Sequence, residues 1–300
     1  MDSARYGGLE AGGTKMICVV TDKNGEWLDQ LTLPTLSPEE TIPPIVDFFK
    51  RNSITSLGIG SFGPLDLKEG SHTYGSLAST PKKGWEGYPL LDAFKSLHVP
   101  ISLTTDVNGA ALAEATKGAA KGLDSCMYIT VGTGIGAGAV VNGNILEGFS
   151  HPEMGHVPVK PHEDDVFLGH CPYHGTCAEG MAAGPAIQAR WGKAGVELAD
   201  DDRVWQLEAY YLAQAIAAYT YILSPKKVIL GGGVMKQKQL YSLVREELIR
   251  QLNGYLDIGD PEEYVVAPGL DEHAGIEGAL LLARQAEKMA FINKKLQWTI

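Results

Sequence analysis

The sequence predicts an α/β protein built from two lobes. Its 300 residues, 44% of them hydrophobic, can bury a sizeable core and more often form two domains than one. Strand-like runs alternate with helical segments, which favours mostly parallel central strands accompanied by hairpins. The second half opens with the same strand, glycine loop and strand as the first half. This pattern indicates a structural duplication, and we expect domains over residues 1–120 and 121–300.

The first half begins with a predicted hairpin that contains a glycine-rich loop. Its strands are expected at Tyr6–Leu9 and Met16–Thr21. Ser37 is predicted to cap the next helix, with Pro38 at the first helical position and Glu40 able to reach back to the cap. Later elements are two apolar strands and an alanine-rich helix, namely Ser56–Gly60, Ile101–Thr105 and the run that follows Asn108.

The second half begins with another predicted hairpin, formed by Met127–Val131 and Gly138–Val141 and followed by a tight Asn142-Gly143-Asn144 turn. A loop rich in His, Cys and Gly then spans residues 150–184. The remaining predicted elements are a long helix at Arg203–Leu223, a strand at Val228–Leu230, and amphipathic helices near residues 235–253 and 274–289.

Charge and composition narrow the class of partner. A net charge of -11 and a pI near 5.2 oppose binding to phosphate backbones or anionic lipid surfaces, so we expect no nucleic-acid or membrane partner. No apolar stretch approaches the ~20 residues that span a bilayer. Met1 to Arg5 lack the features of a signal peptide, so a cytoplasmic location and a small-molecule substrate are expected.

Three glycine clusters follow strands, at Gly12-Gly13-Thr14-Lys15, Gly132-Thr133-Gly134-Ile135-Gly136 and Gly231-Gly232-Gly233. Glycine lets backbone N–H groups converge on phosphate oxygens, although ordinary turns account for any single cluster as well. The repeated placement favours phosphate loops. No Gly-Lys-Ser/Thr tripeptide occurs, which excludes a P-loop. Residues 58–63 match a dinucleotide fingerprint, but Pro64 follows where that motif needs a helix.

Asp106 is a candidate general base with an alternative structural role. Phosphoryl transfer needs a group that accepts the proton of the attacking hydroxyl. Asp106 also ends a strand and precedes an alanine-rich helix, which is a typical position for a helix cap. The residues alone leave both interpretations open.

A cysteine and histidine pattern predicts a metal site. Cys171, His174 and Cys177 are spaced three apart, and His156 lies upstream, which provides four nitrogen and sulfur ligands. Four protein ligands favour a structural zinc, since a catalytic zinc keeps one position open. A loop without metal is the alternative. The other cysteines, Cys18 and Cys126, lie in apolar runs and are expected to be buried.

Together these residues resemble the ROK family (repressors, open reading frames and kinases) of the hexokinase-like fold. Residues 8–15 and 131–138 resemble its two phosphate loops, and residues 231–234 its adenosine motif. Residues 153–156 and 171–179 resemble its zinc and sugar signature. The matches run in family order from residue 6 to about residue 285. Few residues precede the first glycine loop, which favours the kinases over the family's repressors.

The resemblance implies two actin-like (ribonuclease H-like) lobes with a nucleotide and sugar cleft between them, and Asp106 as the general base. ATP with Mg²⁺ is expected to contact Glu10, Gly12, Gly13, Thr14, Lys15, Gly132, Thr133, Gly134, Gly231, Gly232 and Gly233. Sugar hydroxyls are expected to contact Gly63, Thr80, Asn108, Glu153, His156 and Glu179. A structural Zn²⁺ is expected on His156, Cys171, His174 and Cys177. For Thr80 and Asn108, an ordinary turn or cap role stays open.

Residues 74–75, 79–85 and 105–111 most resemble the fructokinase branch of the family, which implies transfer to the 6-hydroxyl of fructose. Alternatives are a glucokinase, mannokinase or N-acetylhexosamine kinase, or a sugar-sensing regulator without catalysis. The chain departs from the family at Glu10, Thr105 and His174, where Asp, Asn and Cys are common. A homodimer is the family's usual assembly.

Overall fold

The structure, a computed structural model, describes residues 4–80 and 82–297. Met1–Ser3 of the N-terminal segment and Pro81 of the 79–85 segment lie outside the described residues. The chain divides into two compact units. The first comprises residues 1–113, 146–151 and 272–300, and the second comprises residues 114–145 and 152–271.

The strands are β1 Tyr6–Ala11, β2 Lys15–Thr21, β3 Trp27–Pro34, β4 Ser56–Ser61, β5 Ile101–Thr105, β6 Cys126–Val131, β7 Ile135–Val141, β8 Asn144–Ile145, β9 Val228–Gly231 and β10 Val265–Val266. The α-helices are α1 Pro38–Arg51, α2 Leu90–Ala93, α3 Asp106–Thr116, α4 Ala178–Ala182, α5 Gly184–Trp191, α6 Asp202–Leu223, α7 Gln239–Leu252, α8 Pro261–Tyr264 and α9 Ala274–Gln297. In the part of the chain that the structure describes, no helix has the length and apolar character to cross a membrane.

The first unit is built on a five-stranded sheet with strand order β3-β2-β1-β4-β5. β1, β2 and β3 form an antiparallel meander, while β4 and β5 continue the sheet in parallel. The apolar face of α1 is buried. The Ser37 N–H at its start donates to Glu40 across 3.4 Å, as the capping pattern predicts.

The last helix, α9, packs against β1 and β4 of the first sheet. A side chain at Gly58 would overlap the Ala279 carbonyl oxygen, and one at Gly278 would overlap the Gly109 backbone. The glycines of the 58–63 fingerprint therefore include one that permits close packing of a helix on the sheet. This contact explains part of the fingerprint without a dinucleotide.

The second unit repeats the topology of the first. Its sheet has strand order β10-β9-β6-β7-β8, with β6, β7 and β8 antiparallel and β9 and β10 parallel to β6. The central strands are buried, and α6 contributes Trp205, Tyr211 and Tyr219 to the core. The predicted duplication is thus present strand for strand.

The two units differ in composition from the predicted domains, 1–120 and 121–300. The sequence division follows the order of the chain, whereas α9 and residues 146–151 belong to the first unit. The physical reason is the apolar face of α9, where Ile276 and Leu280 are buried with Tyr6 and Val19 of the first sheet. Chain order alone does not reveal which sheet a terminal helix covers.

Candidate active site and metal cluster

The first glycine loop joins β1 to β2 and is fixed at one end. The Gly12 N–H donates to the Lys15 carbonyl oxygen at 3.0 Å, and the Thr35 hydroxyl donates to the Gly12 carbonyl oxygen at 2.6 Å. A Cβ at Gly12 would lie 2.8 Å from the Lys15 oxygen, while a Cβ at Gly13 would meet nothing within 4 Å. The loop is therefore packed against protein at Gly12 and open at Gly13.

Glu10 lies in β1 close to two charged side chains. Its Oε2 atom is buried and has no hydrogen-bond partner among the described residues. Burial raises the pKa of Glu10 to about 7, with further upward influence from Asp106, while Lys15 and the Ile276 backbone act in the opposite direction. A cation beside this carboxylate would favour its ionised form, so Glu10 fits a role in holding Mg²⁺.

Asp106 is the first residue of α3, directly after β5. The side chain that caps this helix belongs to Thr105, whose hydroxyl accepts the Asn108 N–H at 3.2 Å. One Asp106 carboxylate oxygen accepts the Val107 N–H at 2.8 Å. The backbone of Asp106 passes Gly60, where an added Cβ would lie 3.5 Å from the Asp106 Cα. Thr105 thus supplies a hydroxyl cap for α3, and the Asp106 carboxylate also accepts one N–H of the first turn.

The other amino acids of the first unit that we expect to bind sugar occupy different environments. Asn108 is buried and donates from its side chain to the Thr104 hydroxyl at 3.2 Å. Gly63 follows β4 and is half-buried. Thr80 is half-buried, and its hydroxyl accepts the Lys82 N–H at 3.3 Å. The bond from Lys82 matches the turn alternative for Thr80, while leaving its hydroxyl hydrogen available to donate.

The second and third glycine loops lie side by side in the second unit. The Gly132 N–H donates to the Gly134 carbonyl oxygen at 2.9 Å and shapes the turn between β6 and β7. A Cβ at Gly132 would lie 3.9 Å from the Gly233 nitrogen. Gly232 has a φ of +94° and presses on the Val131 backbone, where any side chain would overlap it. Two glycine clusters separated by about a hundred residues in sequence therefore form one surface.

Glu179 lies against the second glycine loop. It occupies the first turn of α4, and its Oε2 accepts the Ile135 N–H at 3.0 Å. A Cβ at Gly134 would lie 2.5 Å from the same oxygen. The glycine at this position leaves room for the carboxylate, a contact that the sequence did not predict.

The Glu153–His156 turn packs beside the same loop. Tyr219 of α6 donates its hydroxyl hydrogen to the Met154 carbonyl oxygen at 2.5 Å and so helps to fix the turn. Gly155 abuts the Ile135 carbonyl group so closely that a side chain would overlap it. Glu153 is exposed and His156 is half-buried. Within the second unit, the amino acids that we expect to bind sugar therefore lie next to a loop that we expect to bind phosphate.

The four predicted metal ligands converge. Their ligand atoms, from His156, Cys171, His174 and Cys177, all lie within 4.8 Å of one another. The His156 Nδ1 atom lies 3.5 Å from the Cys177 sulfur and 3.8 Å from the Cys171 sulfur. Burial raises the pKa of the Cys177 thiol to about 11, whereas a bound cation would favour the thiolate. Two imidazoles and two thiols fit a metal ion that prefers nitrogen and sulfur donors.

Several polar side chains that hold backbone segments in place lack a sequence motif and were not predicted. Besides Tyr219 and the Glu179 contact, His151 lies within hydrogen-bond distance of the Leu65 backbone, 3.0 Å from its nitrogen. Glu114 is fully buried and accepts the backbone N–H groups of Ala119, Gly269 and Leu270. The available signal was a single glutamate within the alanine-rich run of α3, because a charged side chain on an apolar helix needs partners if the helix is buried.

The chain belongs to the ROK family, because the model of this family matches residues 6–286. In structure it is similar to a ROK hexokinase from Thermus thermophilus, with a TM-score of 0.79 and 28% identity over 95% of this chain and 99% of that one. It therefore has the actin-like, two-lobe fold of the ROK sugar kinases.

Curated relatives are closer in sequence. A protein of Bacillus subtilis (strain 168) is 53% identical over 285 residues, which cover 93% of this chain and 95% of that one. A fructokinase of Pediococcus pentosaceus is 42% identical over 95% of this chain and 99% of its own length.

Proposed function

We propose that the chain is an ATP-dependent fructokinase that transfers the γ-phosphoryl group of ATP to the 6-hydroxyl of D-fructose. The observation that carries this assignment is the identity of 41% or 42% to each of four curated fructokinases, over 90% to 95% of the chain. Named glucokinases are more distant, at 27% and 29%. The glycine loops and the carboxylates described above would supply the parts that phosphoryl transfer requires.

The nucleotide is assigned to the three glycine loops. Gly12, Gly13, Thr14 and Lys15 would contact phosphate in the first unit, together with Mg²⁺ held through Glu10. Gly132, Thr133 and Gly134 would contact phosphate in the second unit, and Gly231, Gly232 and Gly233 would contact the adenosine. The open space at Gly13 and the exposed Thr133 support this assignment, because a phosphate needs unobstructed backbone and hydroxyl donors. Mg²⁺ would neutralise charge on the transferred group.

Asp106 is assigned as the general base that accepts the proton of the sugar hydroxyl. Its position supports this role, since Asp106 follows β5 directly and its charge acts on Glu10, the residue proposed to hold Mg²⁺. Sugar hydroxyls would be bound by Gly63, Thr80 and Asn108 of the first unit and by Glu153, His156 and Glu179 of the second. Carboxylates would accept hydrogen bonds from the hydroxyls, and amide or imidazole groups would donate.

The metal cluster is assigned to a structural zinc. Convergence of four nitrogen and sulfur atoms supports a closed tetrahedral site rather than a catalytic one. Since Cys177 caps α4 and Glu179 lies in its first turn, the ion would fix the helix that carries a sugar ligand. We also propose a cytoplasmic location, and a homodimer, which rests on family resemblance.

The assignment is tested by identifying the product. Incubation with D-fructose and Mg-ATP should yield ADP and fructose 6-phosphate, which phosphorus NMR distinguishes from the 1-phosphate. Formation of ADP at the same rate without sugar, or a 1-phosphate product, would contradict it. The regulator alternative predicts sugar binding without any ADP formation.

A further inference from the structure

Glu179 and Gly134 form a contact between two elements that the proposed function gives to different substrates. Glu179 belongs to the sugar segment, while Gly134 and Ile135 belong to the second phosphate loop. The Glu179 Oε2 accepts the Ile135 N–H at 3.0 Å and lies where any side chain at position 134 would have to go. One carboxylate oxygen is thereby occupied by the loop, and the other can accept a sugar hydroxyl.

A second contact reaches the same residue through its carbonyl group. Gly155, in the Glu153–His156 turn, packs on the Ile135 carbonyl group with no space for a Cβ. Ile135 is buried, so its backbone cannot shift without moving its neighbours. The two segments of the second unit that we propose to bind sugar, the Glu153–His156 turn and the start of α4, therefore both contact Ile135 of the phosphate loop.

We propose that Glu179 is a positioning residue that couples sugar binding to ATP binding through the second phosphate loop. The coupling rests on the proposed function, because it requires Glu179 to bind sugar and the loop to bind phosphate. A sugar hydroxyl on one oxygen fixes the carboxylate, and the fixed carboxylate holds the Ile135 N–H and the turn at Gly132–Gly134. The loop is then already ordered, so it loses less conformational entropy when it binds phosphate.

Binding equilibria supply the test, because coupling between two ligands is reciprocal. The dissociation constant for Mg-AMPPNP, a non-hydrolysable ATP analogue, is measured by calorimetry with and without saturating D-fructose. In the wild type we expect fructose to lower this constant by about 5-fold or more, within the range usual for coupled sites. AMPPNP should lower the dissociation constant for fructose by the same factor, which we call the coupling factor.

Gly134→Ala is the decisive variant. Its methyl group would lie 2.5 Å from the Glu179 oxygen and displace the carboxylate from the Ile135 N–H. We expect fructose to bind about 10-fold more weakly in the absence of nucleotide, the size typical for losing a hydrogen bond to a charged group, and the coupling factor to approach one. Gly148→Ala is the matched control, because this glycine lies outside the segments assigned to ATP and sugar and its methyl group would have only an ordinary contact 3.8 Å away. Its coupling factor and both affinities should match the wild type.

Glu179→Ala keeps the test valid if Gly134→Ala does not fold. Removing the carboxylate should bring the coupling factor to one even when fructose is saturating. If Glu179 only contacted the sugar, its removal would weaken fructose binding and leave the coupling factor unchanged. In the double variant, Gly134→Ala should add no further loss of fructose affinity, since its methyl group then occupies the space the carboxylate left.

The outcomes separate this inference from the proposed function. A wild-type coupling factor of one, or a folded Gly134→Ala protein that keeps the wild-type factor, overturns the coupling while fructose phosphorylation stands. Wild-type protein that neither binds nor phosphorylates fructose overturns the proposed function itself. Melting temperature and metal content of each variant establish that it is folded.

Discussion

At the scale of single residues, the adjacent positions Thr105 and Asp106 have different proposed roles. Thr105 accepts the Asn108 N–H that opens α3, and Asp106 is the residue we propose as the base. Asp106→Asn should therefore lower kcat by about 10²- to 10⁴-fold, the usual contribution of general-base catalysis, with little change in melting temperature. Fructose affinity should fall less than kcat, because an amide still forms hydrogen bonds with a hydroxyl.

Thr105→Ala is the matched control for Asp106→Asn. It removes the capping hydroxyl and should destabilise the fold by about 1 kcal/mol, measured by urea unfolding. If Asp106→Asn showed this loss of stability while keeping wild-type kcat, the two roles would be reversed and the base assignment would be wrong.

Glu10 should make stability depend on pH in protein free of nucleotide and metal. Its pKa is raised from the usual 4.5 to about 7, so the folded protein holds this proton more tightly than the unfolded chain does. The corresponding stability is fully present below pH 4.5 and is lost as the pH rises through 7. At ~1.36 kcal/mol for each unit of pKa, the loss is on the order of 3 kcal/mol.

Glu10→Gln removes this titration. Its free energy of unfolding, relative to wild type, should increase between pH 5 and pH 8 as the wild-type carboxyl ionises. Urea titrations of both proteins at the two pH values measure the change. The same difference at both pH values would show that Glu10 is not perturbed as its surroundings indicate.

At the scale of elements, the first glycine loop offers two adjacent glycines with different constraints. Gly13→Val should raise the KM for ATP by about 10-fold or more without lowering the melting temperature, because its side chain would enter open space beside the loop, where we propose that phosphate binds. Gly12→Val should instead lower the melting temperature, since its Cβ would lie 2.8 Å from the Lys15 carbonyl oxygen. An unchanged ATP dependence in Gly13→Val would remove this loop from the nucleotide site.

The metal cluster predicts about one zinc per chain. Cys177→Ser should release it, because a hydroxyl is a poor replacement for a thiolate ligand, and should weaken fructose binding through α4. Cys126→Ala, buried in β6, is the control that should retain the metal. Elemental analysis of protein purified without chelator measures the content, and metal-free wild-type protein would contradict the assignment.

Local patterns predicted most of the elements, and for identifiable reasons. The hairpins at each start, the Ser37 capping pattern and the cysteine and histidine spacing are short-range signals, and each is present in the structure. Contacts between distant parts of the chain were not predictable in this way. The contact of Glu179 with Ile135 spans 44 positions and depends on how α4 packs, which no motif encodes.

At the scale of the whole molecule, the same strand topology serves both units, and each carries glycine loops at its strand ends. The duplication was visible in the sequence because each half opens with the same strand, loop and strand. The return of α9 to the first unit was not, because the side chains that bury Ile276 and Leu280 come from strands about 260 residues earlier in the chain. The topology was thus predictable for elements that are close together in the sequence.

The sugar specificity of the protein is the central claim, and a hexose panel tests it most directly. ADP formation would be followed with D-fructose, D-glucose, D-mannose and N-acetylated hexosamines at equal concentrations of enzyme and Mg-ATP. We expect kcat/KM to be highest for D-fructose and Asp106→Asn to abolish most of the turnover with every sugar. A higher kcat/KM for another hexose, or no sugar-dependent ADP at all, would contradict the account.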